Sequence, residues 1–286
     1  MVKLSKMINF KVLIKSIYKV LINIIISLKW IVKVFLCSDL RNHICHLNNN
    51  TLLTILANGP SLKEDLVNLD ISRGDFCVVN RFYESPYYFK VKPKYYVLAD
   101  PAFFDKEEEI KKLIDSVDWE MMLFVTYSGW KNLKFLRNIP NNKIKVIPYH
   151  TNPYNGFMWL KLFLYRKGLS MPPAQNVLVP SIFNGINMGY KEIRLYGVDH
   201  SWTKSLCVDK NNQVCAIDLH FYEDDNDIKL LPYLKCNGEY YRLHALLRDF
   251  AQMFDSYHQI RWYADKVGCK IINCTKDSFI DAFERA

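Results

Sequence analysis

Four polar residues follow the ends of four predicted strands. Asn58 follows 51–57 (TLLTILA), Asn80 follows 76–79, Asp100 follows 95–99, and Asp199 follows 192–196 across Gly197-Val198. In open α/β sheets ligands bind outside the carboxyl ends of the strands, so four polar ends on one edge make one candidate binding site. Each residue alone reads equally well as a turn former or a helix cap. Their shared placement is what points to a site. The first run opens into Asn58-Gly59-Pro60-Ser61-Leu62. Gly59 lets the backbone approach a ligand closely, and Pro60 presets φ at a helix start. Ser61 can cap that helix, whose free N–H groups favour an anion. Neither GxGxxG nor GxxxxGK[ST] is present, which disfavours ordinary dinucleotide and P-loop phosphate binding.

A proton acceptor is available in His220, which precedes Phe221-Tyr222. A neutral imidazole, with a reference pKa near ~6.5, can take a proton from a hydroxyl at cytosolic pH. The plainer alternative is a histidine on a strand of a surface hairpin, since 206–208 and 214–216 flank the turn Lys210-Asn211-Asn212. His200, Ser201 and Lys204 behind Asp199 can hold a phosphate or serve only as polar loop residues. His150 falls in an insertion and is a candidate to line a lid. His244 and His258 lie in a long helical stretch and read as structural or solvated. The acidic run 223–227 reads as a solvated loop. No metal-ligand spacing appears.

The elements that must position these residues alternate. Strands are predicted at 51–57, 76–79, 95–99, 121–125, 143–147, 192–196 and 270–273. Helices are predicted at 62–69, 107–116, 178–188 (closed by Gly189) and 241–267 (closed by Gly268). This rhythm predicts an α/β, Rossmann-like, mostly parallel sheet with helices on both faces. Residues 149–175 and 200–240 break it and are expected as insertions over the strand edge, with a lid around 200–240.

Half of the 286 residues are apolar and only 10 are Gly and 11 Pro, which excludes disordered and collagen-like chains. Residues 1–50 carry seven Lys and one Arg against Asp39, a balance of +7. The remaining 30 bases and 28 acids leave +2 for the body. A nucleic-acid-binding body would be basic on its own surface, so no nucleic-acid partner is expected. The eight Cys form no CxxC, and most sit in apolar runs, which fits free thiols in a reducing cytosol. His43 and His46 flank Cys45 without a second ligand pair, so no zinc site is expected there.

In residues 7–37 the longest uncharged stretch is nine residues, 20–28. A spanning helix needs about 20, and no small-residue cleavage site follows. Lys11, Lys15 and Lys19 share one helical face, opposite Leu13, Ile14, Ile17, Val20, Leu21, Ile24 and Ile25. The pattern is that of a basic amphipathic helix on an anionic membrane surface. The alternative is a helix packed on the core. The expected organisation is a membrane-association segment at 1–48, the linker Asn48-Asn49-Asn50, and one catalytic domain over 51–286. The body would be cytoplasmic, peripherally associated with the inner face of the cell membrane.

Four motifs together carry a resemblance. Asn58-Gly59-Pro60-Ser61-Leu62, Asn80-Arg81-Phe82-Tyr83, Asp100-Pro101-Ala102-Phe103-Phe104, and Gly189-Tyr190-Lys191-Glu192-Ile193 leading to Gly197-Val198-Asp199 resemble the bacterial sialyltransferases of glycosyltransferase family 42, in the family's order. A similar opening occurs in the pterin pyrophosphokinase-like (MptE-like) fold and in flagellin-glycosylating proteins. The resemblance spans roughly 51–280 and implies a modified Rossmann-like domain with a lid. It implies sugar transfer from a CMP-linked donor, with inversion and without metal or cofactor. Asn58 and Asn80 match asparagines that face the nucleotide, and His220-Phe221-Tyr222 matches the lid histidine that serves as general base. The sequence departs from the family at three places. Asp100 replaces a third asparagine. Ala174-Gln175-Asn176-Val177-Leu178 replaces an Arg and a Thr-Ser-Gly that hold the sialic acid carboxylate, leaving Asn176 to meet the donor. His200-Ser201-Trp202 replaces two phosphate-holding tyrosines.

The resemblance implies a glycosyltransferase with a nucleotide-sugar donor, CMP-linked, carrying sialic acid or a related acidic sugar. The acceptor would be a cell-surface glycan or glycolipid such as lipopolysaccharide. A homo-oligomer is left open. One rival on the same fold is a pyrophosphokinase using ATP and magnesium, which needs a pterin pocket and leaves the basic helix unexplained. The other is a non-catalytic scaffold, which leaves the polar strand ends unexplained.

Overall fold

The computed structural model of the protein describes residues 2–37, 51–218, 229–235 and 237–286. Eleven strands are described: β1 Leu52–Leu56, β2 Asp75–Val79, β3 Tyr95–Leu98, β4 Met121–Thr126, β5 Ile144–Tyr149, β6 Glu192–Tyr196, β7 Leu206–Val208, β8 Val214–Asp218, β9 Lys229–Pro232, β10 Lys270–Asn273 and β11 Glu284–Arg285. The helices are α1 Val2–Cys37, α2 Leu62–Asn68, α3 Tyr88–Val91, α4 Pro101–Phe104, α5 Glu107–Asp115, α6 Tyr127–Asn132, α7 Met158–Arg166, α8 Leu178–Asn187 and α9 Leu243–Val267.

Eight strands form one parallel sheet in the order β11-β10-β6-β1-β2-β3-β4-β5, and β7-β8-β9 form a small antiparallel sheet. The architecture is the α/β, Rossmann-like one predicted from the sequence. β1 to β4 are almost wholly buried and mostly apolar, as strands are when helices cover both faces of a sheet, while the edge strand β5 exposes Lys145. One face packs on α8 and α9 through Leu53, Ile55, Phe183, Ile186, Tyr257 and Ile260. The other packs on α2, α3 and α5 through Leu56, Val78, Leu66, Tyr88 and Ile110. β6 instead alternates: Ile193 and Leu195 are buried, while Glu192, Arg194 and Tyr196 are half-exposed. Alternation is the pattern of a strand covered on one side.

The chain lays down β1 to β5 in one direction, then returns to place β6 and β10 on the other side of β1. The strand order therefore reverses between β1 and β6, and the connections leaving their carboxyl ends diverge. That divergence opens a crevice in folds of this kind.

Residues 149–175 depart from expectation. They contain α7, which is a member of the packed layers: Tyr165 is fully buried in the α8/α9 core. Its apolar residues had no strand neighbour in sequence to reveal that role. The described residues of 200–240 contain the 3₁₀ turn Trp202–Ser205 and then β7 to β9. Cys207 and Cys215 face each other in register across β7 and β8, both as free thiols. Among the described residues no helix is long and apolar enough to cross a membrane.

Candidate active site at the strand switch point

Asn58, Asn80 and Asp100 lie at the carboxyl ends of β1, β2 and β3, and Asp199 and His200 lie beyond β6. They line one cavity of about 850 Å³ together with Gly59, Pro60, Asn176, Ser201, Trp202 and Lys204. The sequence-derived residues thus converge at the strand reversal, with Ser61 immediately behind the wall. His220 and Tyr222 lie outside the described residues. A second cavity of about 510 Å³ sits beside β1 and the half-exposed face of β6, lined by Thr54, Asp65, Arg73 and Arg194 among others. It gathers none of the strand-end residues, and Arg194 there is engaged by Glu192 at 2.7 Å. The larger cavity is the better candidate on chemical grounds.

Three of these residues have partners within the chain. Gly59 lines the cavity and also approaches protein closely. Its N–H donates to the Gly197 carbonyl (2.9 Å), and a Cβ there would sit 1.9 Å from Asp199 Oδ2 and 2.4 Å from the Gly197 carbonyl oxygen. Ser61 does not cap α2 with its side chain. Its hydroxyl donates to Asp199 Oδ2 (2.8 Å), and its N–H lies 3.4 Å from Asp199 Oδ1. Asp199 thus supplies the negative charge at the start of α2 that a ligand was expected to bring. Asn176 is equally committed. Its Oδ1 accepts the N–H groups of Leu178 and Val179 (3.0 and 3.3 Å), satisfying the first turn of α8. Its Nδ2 donates to the Tyr257 hydroxyl at 2.7 Å.

Tyr257 passes that polarity to His200. The two meet at 2.6 Å between hydroxyl and Nε2, and the imidazole also bonds the Val198 carbonyl. With Nε2 accepting from Tyr257, the other ring nitrogen carries the proton. Burial holds the His200 pKa down at about 4, against the ordinary 6.5. His200 is a neutral, pre-committed part of the cavity floor, and it has little capacity left to act as a base. Because its folded pKa is depressed, the unfolded chain binds an extra proton between about pH 6.5 and 4. The stability from this group is present above pH 6.5 and is lost as pH falls toward 4. The loss is about 2–4 kcal/mol over that window. Thermal melts from pH 7 to 4.5 should show this slope in the wild type and a flatter one in His200→Asn, whose side chain tolerates the left-handed backbone there (φ 53°). Equal slopes would mean that His200 does not carry the dependence.

Asn58 and Asn80 are the less committed members. Asn58 is exposed and donates one amide hydrogen to the Val79 carbonyl (3.1 Å). Asn80 sits at φ 47°. Its backbone carbonyl accepts from the Tyr96 hydroxyl (2.5 Å), which in turn accepts the Tyr83 N–H (3.0 Å). The turn is therefore pinned, while Asn80 Oδ1 is buried with no hydrogen-bond partner among the described residues. A buried acceptor left unpaired is costly, and a bound donor would relieve it.

On the far wall Trp202 stacks on Phe250 and lies 4.5 Å from the His200 ring. It is 42% exposed and offers an aromatic face to the cavity. Lys204 brings a positive charge, its Nζ 5.0 Å from the Phe279 ring centre. Sequence reasoning missed Tyr257 altogether, because a tyrosine in a long amphipathic helix looks like ordinary core. Among the described residues no group of three or more His, Cys, Asp or Glu is gathered closely enough to hold a metal ion.

No family model matches the chain, and no curated protein matches it. Among solved structures the chain is similar to the MAf glycosyltransferase from Magnetospirillum magneticum AMB-1, with 11% sequence identity and a TM-score of 0.49. The match covers 85% of this chain and 35% of that one, so the chain spans about a third of the length of the structure it matches.

Proposed function

We propose that the protein is a glycosyltransferase that moves a sugar from a nucleotide donor to a cell-surface glycan or glycolipid, with the basic N-terminal segment on an anionic membrane surface. The donor in this reading is CMP-linked and carries sialic acid or a related acidic sugar, and transfer inverts the anomeric centre without a metal. The observation that carries it is the meeting of three strand ends, Asn58, Asn80 and Asp100, in one cavity at the β1/β6 reversal, with Asn80 Oδ1 buried and unpaired. An unpaired acceptor suits the amino group of a cytosine or a ribose hydroxyl. Trp202 offers a stacking face for a base or sugar ring, and Lys204 a charge for the phosphate. The acceptor hydroxyl attacks the anomeric carbon as His220 takes its proton. The sugar–phosphate bond breaks, and its electron pair leaves on the CMP phosphate.

A thermal-shift screen with CMP, CDP, UDP, GDP and ATP tests this reading. A nucleotide at about 100 times its Kd stabilises the fold by about 2.7 kcal/mol. CMP or CDP should give the largest shift. Asn80→Gly keeps the left-handed turn while removing the amide, and should weaken that binding by about 5- to 150-fold, equivalent to 1–3 kcal/mol. Unchanged affinity removes Asn80 from the site. A shift with ATP alone, with turnover lost in EDTA and restored by magnesium, would replace this reading with the pyrophosphokinase one.

A further inference from the structure

α1 has three faces. Ser27, Trp30 and Val34 form the one that meets the body. The Ser27 hydroxyl bonds the Tyr154 hydroxyl at 2.6 Å, Trp30 packs edge-on to Tyr154, and Trp30 and Val34 bury against Leu164 of α7. The second face is a lysine row. Lys29 and Lys33 lie eighteen residues, about five turns, beyond Lys11 and Lys15, so both pairs share the side that Lys19 also occupies. The third face carries Leu13, Ile17, Leu21, Ile24, Leu28 and Ile31. All six are between 40% and 58% exposed, including the two beside the docked stretch. The body therefore holds α1 by its narrow Ser27/Trp30/Val34 face and leaves the broad apolar face outward.

α7 adds to that outward surface. Its inner side is fixed by buried Tyr165 and by Lys161, whose Nζ donates to Gln259 at 2.8 Å. Leu160 and Leu164 meet α1. One residue away from each, Trp159 and Phe163 point outward at 69% and 51% exposure, with Met158 at 55%. Trp159 stacks on Phe157 yet stays 69% exposed, and grouped exposure of large aromatics on a helix anchored in the core marks an interaction surface.

We infer that α1 and α7 together form a composite surface that seats in the interface of an anionic lipid bilayer, with Trp159, Phe163 and Met158 inserting beside the apolar face of α1. Charge selects this occupant. Residues 11–34 hold five lysines and no acid, which complements anionic headgroups. A second copy of the chain would instead bring another lysine row with no carboxylate to meet it. Trp and Phe are suited to the boundary between headgroup and acyl chain. Because α7 is rigidly part of the body, the surface would fix the orientation of the body, where a tether through α1 alone would leave it free to turn. The inference rests on the membrane reading of the basic N-terminal segment given under the proposed function and does not depend on what reaction the cavity performs.

Removing α1 is a poor test, since it would uncover Trp30's partners Tyr154 and Leu164. The test keeps the full chain and measures flotation with phosphatidylcholine vesicles, with and without phosphatidylglycerol. The full chain should float with the anionic vesicles. Trp159→Ala/Phe163→Ala should lower partitioning about tenfold or more with an unchanged melting temperature. Lys11→Gln/Lys15→Gln/Lys19→Gln should lower the preference for anionic vesicles by about a hundredfold. Wild-type partitioning by the aromatic double variant would overturn the role of α7. Absence of flotation, with concentration-dependent dimers lost in that variant, would assign the surface to a second copy instead.

Discussion

Gly59→Ala should lower the melting temperature by roughly 5–15 °C and abolish nucleotide binding with it. The added methyl would fall 1.9 Å from Asp199 Oδ2 and 2.4 Å from the Gly197 carbonyl oxygen. The carboxylate can swing aside, but only by releasing the Ser61 hydroxyl and the start of α2. The carbonyl cannot swing. It belongs to Gly197, held at φ 66° where an added Cβ would itself strike Leu62 and the Ala57 carbonyl. Relief therefore requires β1 and β6 to separate at their ends and to break the Gly59 N–H to Gly197 hydrogen bond. Overpacking of this kind costs about 1–3 kcal/mol, and losing the bonded cap adds to it. Asn58 is the neighbouring residue, so the same movement displaces the site. A melting temperature within a degree or two of the wild type would show that the reversal point is far more plastic than these contacts require.

His220→Ala should reduce sugar transfer by about 10²–10⁴-fold while leaving nucleotide affinity nearly unchanged. His220 lies outside the described residues, and its role belongs to the proposed function. Among described histidines only His200 lines the cavity, and its Nε2 is occupied by Tyr257. A base acts on the acceptor hydroxyl in the transition state and has no need to touch the nucleotide in the ground state. The contrast with His200 is diagnostic. Its replacement should lower stability and nucleotide affinity together, because it holds the Tyr257 and Asn176 network beneath the site. Turnover and affinity measured in the same folded protein separate the two behaviours. A His220→Ala enzyme retaining more than about a tenth of its turnover is not missing a general base.

Much of this arrangement was legible in the chain. Continuous apolar runs such as Phe76-Cys77-Val78-Val79 mark doubly covered strands because side chains on both faces meet packed layers. The polar residue ending each run marks the sheet edge, since the chain leaves the core there. The lysine row of α1 follows from helical periodicity alone. These signals are local: they depend on neighbours within one or two turns.

The partners of the polar residues were decided only in three dimensions. Asp199 and Ser61 are 138 residues apart, and Tyr257 and His200 are 57 apart. Nothing in either local pattern tells a carboxylate that will cap α2 from one that will meet a ligand, because both stand in the loop just after a strand. Strand order had the same status. Only the return of the chain to place β6 beside β1 makes Gly59 touch Gly197 and opens the cavity at that edge. α1 shows the division most plainly. Periodicity determined that it has an apolar face and a basic face. Tertiary packing decided that the body would grip neither, taking the strip of Ser27, Trp30 and Val34, because Tyr154 and Leu164 present one hydroxyl and one apolar surface that only this strip complements.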